Sequence, residues 1–157
     1  MGVKLKIAGQ LGDNYLYLKD PESCPENVEY VGYCDPKKRS DLMKKAKALI
    51  CPSTYAEPFG GVQVEAMLCG TPVISTDWGA FTEVNIEGKT GYRCRTMGDF
   101  VRAGEKCMNG EIDYAACREE GEKYSLENIA LKYEKYFEDV MNVRAGAGWY
   151  TIYDDPD

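Results

Sequence analysis

The chain has 157 residues, no histidine, seven cysteines and 19 Lys+Arg against 26 Asp+Glu, for a net charge of −7. At roughly 100–150 residues per domain one domain is the default expectation, and 44% hydrophobic with 29% charged residues excludes disordered, collagen-like and low-complexity chains. The missing histidine removes the commonest general base, every Ser-His or Cys-His arrangement and most catalytic zinc sites. The acidic balance argues against a nucleic-acid partner but leaves room for a local pocket holding a small anion.

In chain order, residues 3–8 (Val-Lys-Leu-Lys-Ile-Ala) read as a strand with Lys4 and Lys6 facing solvent, closed by a Gly9-Gln10-Leu11-Gly12 turn. Residues 13–19 suit a short helical segment capped by Asp13, and 28–31 a strand ending at Gly32. Asp35-Pro36 opens a helix whose buried face is Leu42, Met43 and Ala46; Lys37, Lys38, Arg39, Lys44, Lys45 and Lys47 form its wet face. Residues 48–51 (Ala-Leu-Ile-Cys) read as a strand buried on both faces. A loop then leads to a helix over 62–69, stopped by Gly70. Residues 72–76 form a second buried strand, and a short helix runs through Val84. A Gly88–Gly91 turn precedes a strand at 92–94, followed by helices over about 97–109, 113–124 and 125–142. The last is the most regular, with Leu126, Ile129, Ala130, Tyr133, Phe137, Val140 and Met141 at three-and-four spacing and Ser125 as its cap. Tyr133, Tyr136 and Phe137 are expected in the core.

The cysteines are odd in number, contain no Cys-x-x-Cys pair and sit at apolar positions, which reads as packed, reduced thiols and a cytoplasmic protein. No apolar run approaches the ~18 residues of a membrane span, and the first residues enter strand-like sequence directly instead of a signal peptide. Short strands alternating with helices indicate an α/β fold with a Rossmann-like parallel sheet, flanking helices and a long terminal amphipathic helix. Such sheets bind ligands in the loops after the carboxyl ends of their strands, so the loop following residues 48–51 is the first place to seek function.

That loop and its helix combine an anion site with two carboxylates. Gly60 and Gly61 allow close backbone approach immediately before a helix, whose first N–H groups are unpaired and favour a phosphate. Glu57 precedes the helix and Glu65 lies in its second turn. A carboxylate accepts two hydroxyls at once, which suits vicinal diols. Taken singly, Gly60-Gly61 is a tight turn and Glu65 a solvated helix residue. Taken together, between two strands, the segment reads as a holder for a sugar–phosphate–ribose ligand.

Glu57-Pro58-Phe59-Gly60-Gly61-Val62-Gln63-Val64-Glu65-Ala66-Met67 resembles the Glu-x7-Glu signature of retaining GT-B glycosyltransferases, above all glycosyltransferase family 4. Gly70-Thr71-Pro72-Val73-Ile74 and Thr76-Asp77-Trp78-Gly79-Ala80 resemble that family's small-x-Pro-Val strand and the Gly-Gly turn after it, with Ala80 in place of the second glycine. Gly88-Lys89-Thr90-Gly91-Tyr92 resembles its Asp-Gly-x-x-Gly turn, with Glu87 in place of the aspartate. The resemblance runs from about Val3 to Met141.

The resemblance implies a hexosyltransferase using a UDP-, GDP- or ADP-linked sugar and a glycan or other acceptor. Glu57 is the implied catalytic residue, holding the donor sugar's hydroxyls beside the reacting carbon. Backbone amides of Phe59, Gly60, Gly61 and Val62 are implied to bind the sugar and diphosphate, Glu65 the ribose and Tyr33 the base. Transfer with retention, without a metal ion or other cofactor, is implied too. The chain is expected to divide into a donor-binding domain at 1–124, shortened at its N-terminus relative to the family, and a terminal helix and tail at 125–157. The family's acceptor-binding domain and its diphosphate-binding Arg and Lys lie outside this sequence. This implies an acceptor domain on a separate chain or a homo-oligomer, and an exposed apolar patch or an oligomer contact at Trp149, Tyr150 and part of the terminal-helix face. A nucleotide-sugar-binding module without transfer activity is the alternative.

Overall fold

The computed structural model describes residues 2–20 and 22–146. The chain divides into two compact units, Met1–Lys45 and Ala46–Asp157. Every strand pairing in both is parallel.

In the first unit β1 (Leu5–Ala8) pairs with β2 (Val28–Gly32), Leu5 opposite Val28 and Ile7 opposite Tyr30. The crossover between them holds a 3-10 helix, Asp13–Lys19. Lys6 is exposed and pairs with Glu29 across the two strands at 3.1 Å, as strand alternation predicts. Helix α1 (Pro36–Met43) starts where Asp35 accepts a hydrogen bond from the Lys38 amide at 2.8 Å, with proline at the first helical position. The helix is shorter than its sequence pattern predicts. Met43 is buried, but Ala46 lies beyond the helix end and is exposed, which corrects its assignment to the buried face.

In the second unit β3 (Leu49–Cys51), β4 (Val73–Thr76) and β5 (Gly91–Cys94) lie side by side in that order. All four residues of β4 are buried, as expected of a central strand covered on both faces. Strand β3 was expected to be buried on both faces too, yet Ile50 is 45% exposed. Among the described residues it is the edge of its three-stranded sheet and pairs with β4 alone, so an apolar run there does not imply double burial.

Helices α2 (Gly61–Leu68), α3 (Phe81–Val84), α4 (Met97–Met108), α5 (Tyr114–Glu122) and α6 (Leu126–Ala145) complete the unit. Ile74, Tyr92, Cys94, Ala103, Cys107, Ile112 and Cys117 form one core cluster between β4–β5 and α4–α5. Beside it Asn85 is a buried polar clamp: its Nδ2 donates to the Val73 carbonyl at 3.1 Å and Ser75 Oγ at 2.9 Å, and its Oδ1 accepts from Thr90 at 3.1 Å. Five cysteines are buried and the other two are half-buried, all as free thiols.

The terminal helix corrects a third expectation, the core placement of Tyr133, Tyr136 and Phe137, and bears out the exposed apolar face. It has its period and its Ser125 cap, but none of its residues is buried, and Tyr133, Tyr136 and Phe137 are 57%, 57% and 59% exposed. Among the described residues no element covers the stripe, because three-and-four spacing fixes which side chains share a face and not what lies opposite. Trp149 and Tyr150 lie outside the described residues. No described helix is long and apolar enough to cross a membrane.

Candidate functional site

The carboxyl ends of β3 and β4 open into two loops that are joined by backbone contacts. After Cys51 the chain turns through Ser53–Pro58 to Gly60, the residue before α2. After Thr76 it turns through Asp77, Trp78 and Gly79 to Ala80, the residue before α3. The Ala80 amide donates to the Glu57 carbonyl at 2.8 Å. The Trp78 indole N–H donates to the Tyr55 carbonyl at 3.0 Å. Gly79, at φ +59°, lies so close that a Cβ there would come 2.5 Å from the Glu57 nitrogen. Only glycine combines that dihedral with that approach.

Gly60 is the left-handed N-cap of α2, at φ 68° and ψ 55°, and supplies no side chain to the helix end. A Cβ at Gly60 would meet Gln63 Nε2 at 2.9 Å, Glu57 Cγ at 3.0 Å and Phe81 Cε1 at 3.2 Å. Glu57 and Gly60 are therefore in direct contact, with the Glu57 side chain against the first turn of α2. Gln63 is completely buried, and its Nε2 donates to the Phe59 carbonyl at 2.7 Å, pinning the turn from below. The helix carries no acidic residue in its own first turn, so apart from the neighbouring Glu57 its N-terminal amides and the helix dipole present positive character.

Glu57 and Glu65 are both half-buried, while Phe59 and Val62 are 47% and 37% exposed. The Glu57 carboxylate beside the Tyr55 hydroxyl raises that phenol above its ordinary value. Burial pushes the Cys51 thiol, at the end of β3, up to about 12, with the Glu57 charge adding to the effect. Cys51 is thus a packed thiol with no nucleophilic role at neutral pH. The Phe59 ring lies 6.0 Å from that of Tyr124, tying the loop to the segment between α5 and α6.

The second unit brings Glu57, Phe59, Gly60, Gly61, Val62 and Glu65 into one loop–helix element, as their spacing implies. Tyr33 belongs to the first unit, after Gly32, and is 72% exposed. Sequence reasoning passed over Tyr55, Gln63 and the contact role of Trp78 and Gly79. Gln63 carried no local signal, since a glutamine in a helix is ordinarily solvated. The tryptophan gave none, since nothing local indicates that its N–H reaches a carbonyl 23 residues earlier.

Comparison with known proteins places this geometry in a family. The family model for glycosyl transferases group 1 matches residues 2–124. The chain belongs to the group 1 glycosyltransferases. It is 33% identical over 90 residues to the phosphatidyl-myo-inositol mannosyltransferase of Mycobacterium leprae (strain TN), covering 57% of this chain and 24% of that protein. It is 40% identical over 96 residues to the glycogen synthase of Mycobacterium tuberculosis (strain ATCC 25618 / H37Rv), covering 59% and 23%. The crystal structure of Anabaena Alr3699/HepE in complex with UDP superposes with a TM-score of 0.74 at 20% identity, over 87% of this chain and 41% of that one. The chain therefore shares the fold of part of a GT-B glycosyltransferase and spans about a quarter of the length of these two relatives.

Proposed function

We propose that the chain is the donor-binding part of a retaining, family 4 glycosyltransferase that moves a hexosyl group from a nucleotide-diphosphate sugar to a glycan or other acceptor. The observation that carries the reading is the Glu57–Gly60–α2 element. One carboxylate is held by its backbone against a helix N-terminus that has no side-chain cap, and a second carboxylate follows one turn into the helix.

Each part has a physical task in this reading. The second unit carries 11 Lys+Arg against 19 Asp+Glu, so its overall field repels a diphosphate and binding falls to local donors. The amides of Phe59, Gly60, Gly61 and Val62, with the α2 dipole behind them, supply those donors. Glu57 accepts from hydroxyls of the donor sugar and Glu65 from the two ribose hydroxyls. Donors in solved relatives point the same way, Anabaena HepE having been crystallised with UDP and with UDP-glucose.

Transfer with retention breaks the bond between the anomeric carbon and the phosphate oxygen and forms one to the acceptor oxygen on the same face. The acceptor's proton passes to the departing phosphate. That route needs no histidine and no metal ion, and the role of this chain is to hold the donor. Because the chain spans a minor part of its relatives, acceptor choice and turnover are proposed for the whole protein in which this segment works. Free thiols at all seven cysteines suit a reducing, cytoplasmic setting.

A thermal-shift panel of UDP, GDP, ADP and their glucose or mannose conjugates tests the reading. The expected result is stabilisation by one nucleotide series through mass action, and its loss in Glu65→Ala. Incubating the chain with the selected nucleotide sugar then separates transfer or hydrolysis from binding alone.

A further inference from the structure

Trp78 stands outside every role assigned so far, yet it makes a specific polar contact beneath the site. The residue is 37% exposed, so it lies at the surface and not in the core. Its Nε1 donates to the Tyr55 carbonyl at 3.0 Å, across 23 residues of sequence. Two residues on, the Glu57 carbonyl accepts from the Ala80 amide at 2.8 Å, and Gly79 packs directly on the Glu57 backbone. The loop is therefore held at two carbonyls, two residues apart, by one turn, and the Glu57 contact alone is a single pivot. A peptide segment fixed at one hydrogen bond can still rotate about it; a second bond two residues away removes that freedom. Tyr55 is also the residue whose phenol is raised by the neighbouring Glu57 carboxylate, and the two carbonyl contacts hold the backbone of both residues.

We propose that Trp78 is a positioning residue for donor-sugar recognition, its indole N–H locking the Tyr55–Glu57 backbone so that the Glu57 carboxylate is presented beside the N-terminus of α2. The inference rests on the donor-binding reading of Glu57. It separates the sugar part of the ligand from the nucleotide part: Glu65 sits within α2 itself, four residues along a hydrogen-bonded helix, and does not depend on the 55–57 backbone.

The test is calorimetric titration of the chain with UDP and UDP-glucose, or with the GDP or ADP pair if the panel favours it, using wild type, Trp78→Phe, Glu57→Gln and the double variant. Phenylalanine keeps a planar ring and removes the N–H. The expected result is a loss of about fivefold in nucleotide-sugar affinity for Trp78→Phe, the scale of one hydrogen bond, with nucleotide affinity unchanged within twofold. In the double variant the Trp78 effect disappears, because its action passes through Glu57. An equal loss for nucleotide and nucleotide sugar, an effect of Trp78→Phe that persists beside Glu57→Gln, or no effect at all overturns the inference. If Glu57→Gln itself leaves the sugar preference intact, or wild type has none, the donor reading of Glu57 fails and the inference with it. If Glu57→Gln abolishes the preference while Trp78→Phe does not, the inference alone fails.

Discussion

The Ala80 amide donates to the Glu57 carbonyl at 2.8 Å, which fastens the loop after β3 to the turn after β4. Between those residues in space lies Gly79, and its missing side chain is what permits the contact. Gly79→Ala places a Cβ within 2.5 Å of the Glu57 nitrogen at φ +59°. The variant is expected to lose about 1–3 kcal/mol of stability from backbone strain and to displace Glu57. Urea unfolding, paired with a nucleotide-sugar titration, checks both. A stable variant with unaltered sugar binding would show that the loop tolerates movement.

Thiol chemistry gives a second prediction. Burial raises Cys51 to about 12 and Cys94, Cys107 and Cys117 to about 11, and Cys34 is also buried. In native protein at pH 8 an aromatic disulfide reagent should react quickly with Cys24 and Cys69 at most. All seven should react after unfolding in denaturant. Fast native labelling of Cys51 would contradict the packing around β3.

Glu120 predicts a pH dependence. Its side chain is 6% exposed and is paired with Lys89 and, at 2.6 Å, with Lys123. The hydrogen bonds from Lys123 and then Lys89 lower its carboxyl below the ordinary value. A carboxylate with a depressed folded-state pKa binds protons less readily when folded, so its stabilisation is present above the unfolded value of about 4.3 and is lost as pH falls below it. Glu120→Gln should cost about 2 kcal/mol at pH 7, the scale of a hydrogen bond to a charged group. The difference from wild type should shrink on acidification below that value, read as converging urea midpoints.

The exposed face of α6 predicts small effects on stability. With no buried residue on the helix, Tyr133→Ala and Phe137→Ala should each change unfolding free energy by no more than about 1 kcal/mol, the upper range for a single ring pair. A loss of 3 kcal/mol or more, the ~3–5 kcal/mol typical of a core aromatic, would mean that the face is covered in solution.

Periodicity and turn chemistry carry most of the local structure, and they fail where the outcome depends on neighbours. Asp35-Pro36 and Ser125 mark helix starts through hydrogen bonds to the next few residues, so the sequence states them directly. Ile50 and Phe137 are apolar residues at well-patterned positions, but whether they are covered depends on what lies beside an edge strand or opposite a helix stripe. The same division runs through the site. Glu57, Gly60, Gly61 and Glu65 are legible because the loop–helix element is continuous in sequence. Trp78, Gly79 and Gln63 act through contacts that only the folded second unit creates.

The most direct test of the central claim is the melting temperature of the chain with each nucleotide and nucleotide sugar at high concentration, for wild type and Glu65→Ala. At ligand levels near 100 times Kd, mass action contributes about 2.7 kcal/mol, a rise of roughly 5–10 °C for a chain of this size. The account predicts such a rise with one nucleotide series in wild type and its near-complete loss in Glu65→Ala. No rise with UDP, GDP, ADP or any of their sugars, or an equal rise in both proteins, would contradict it.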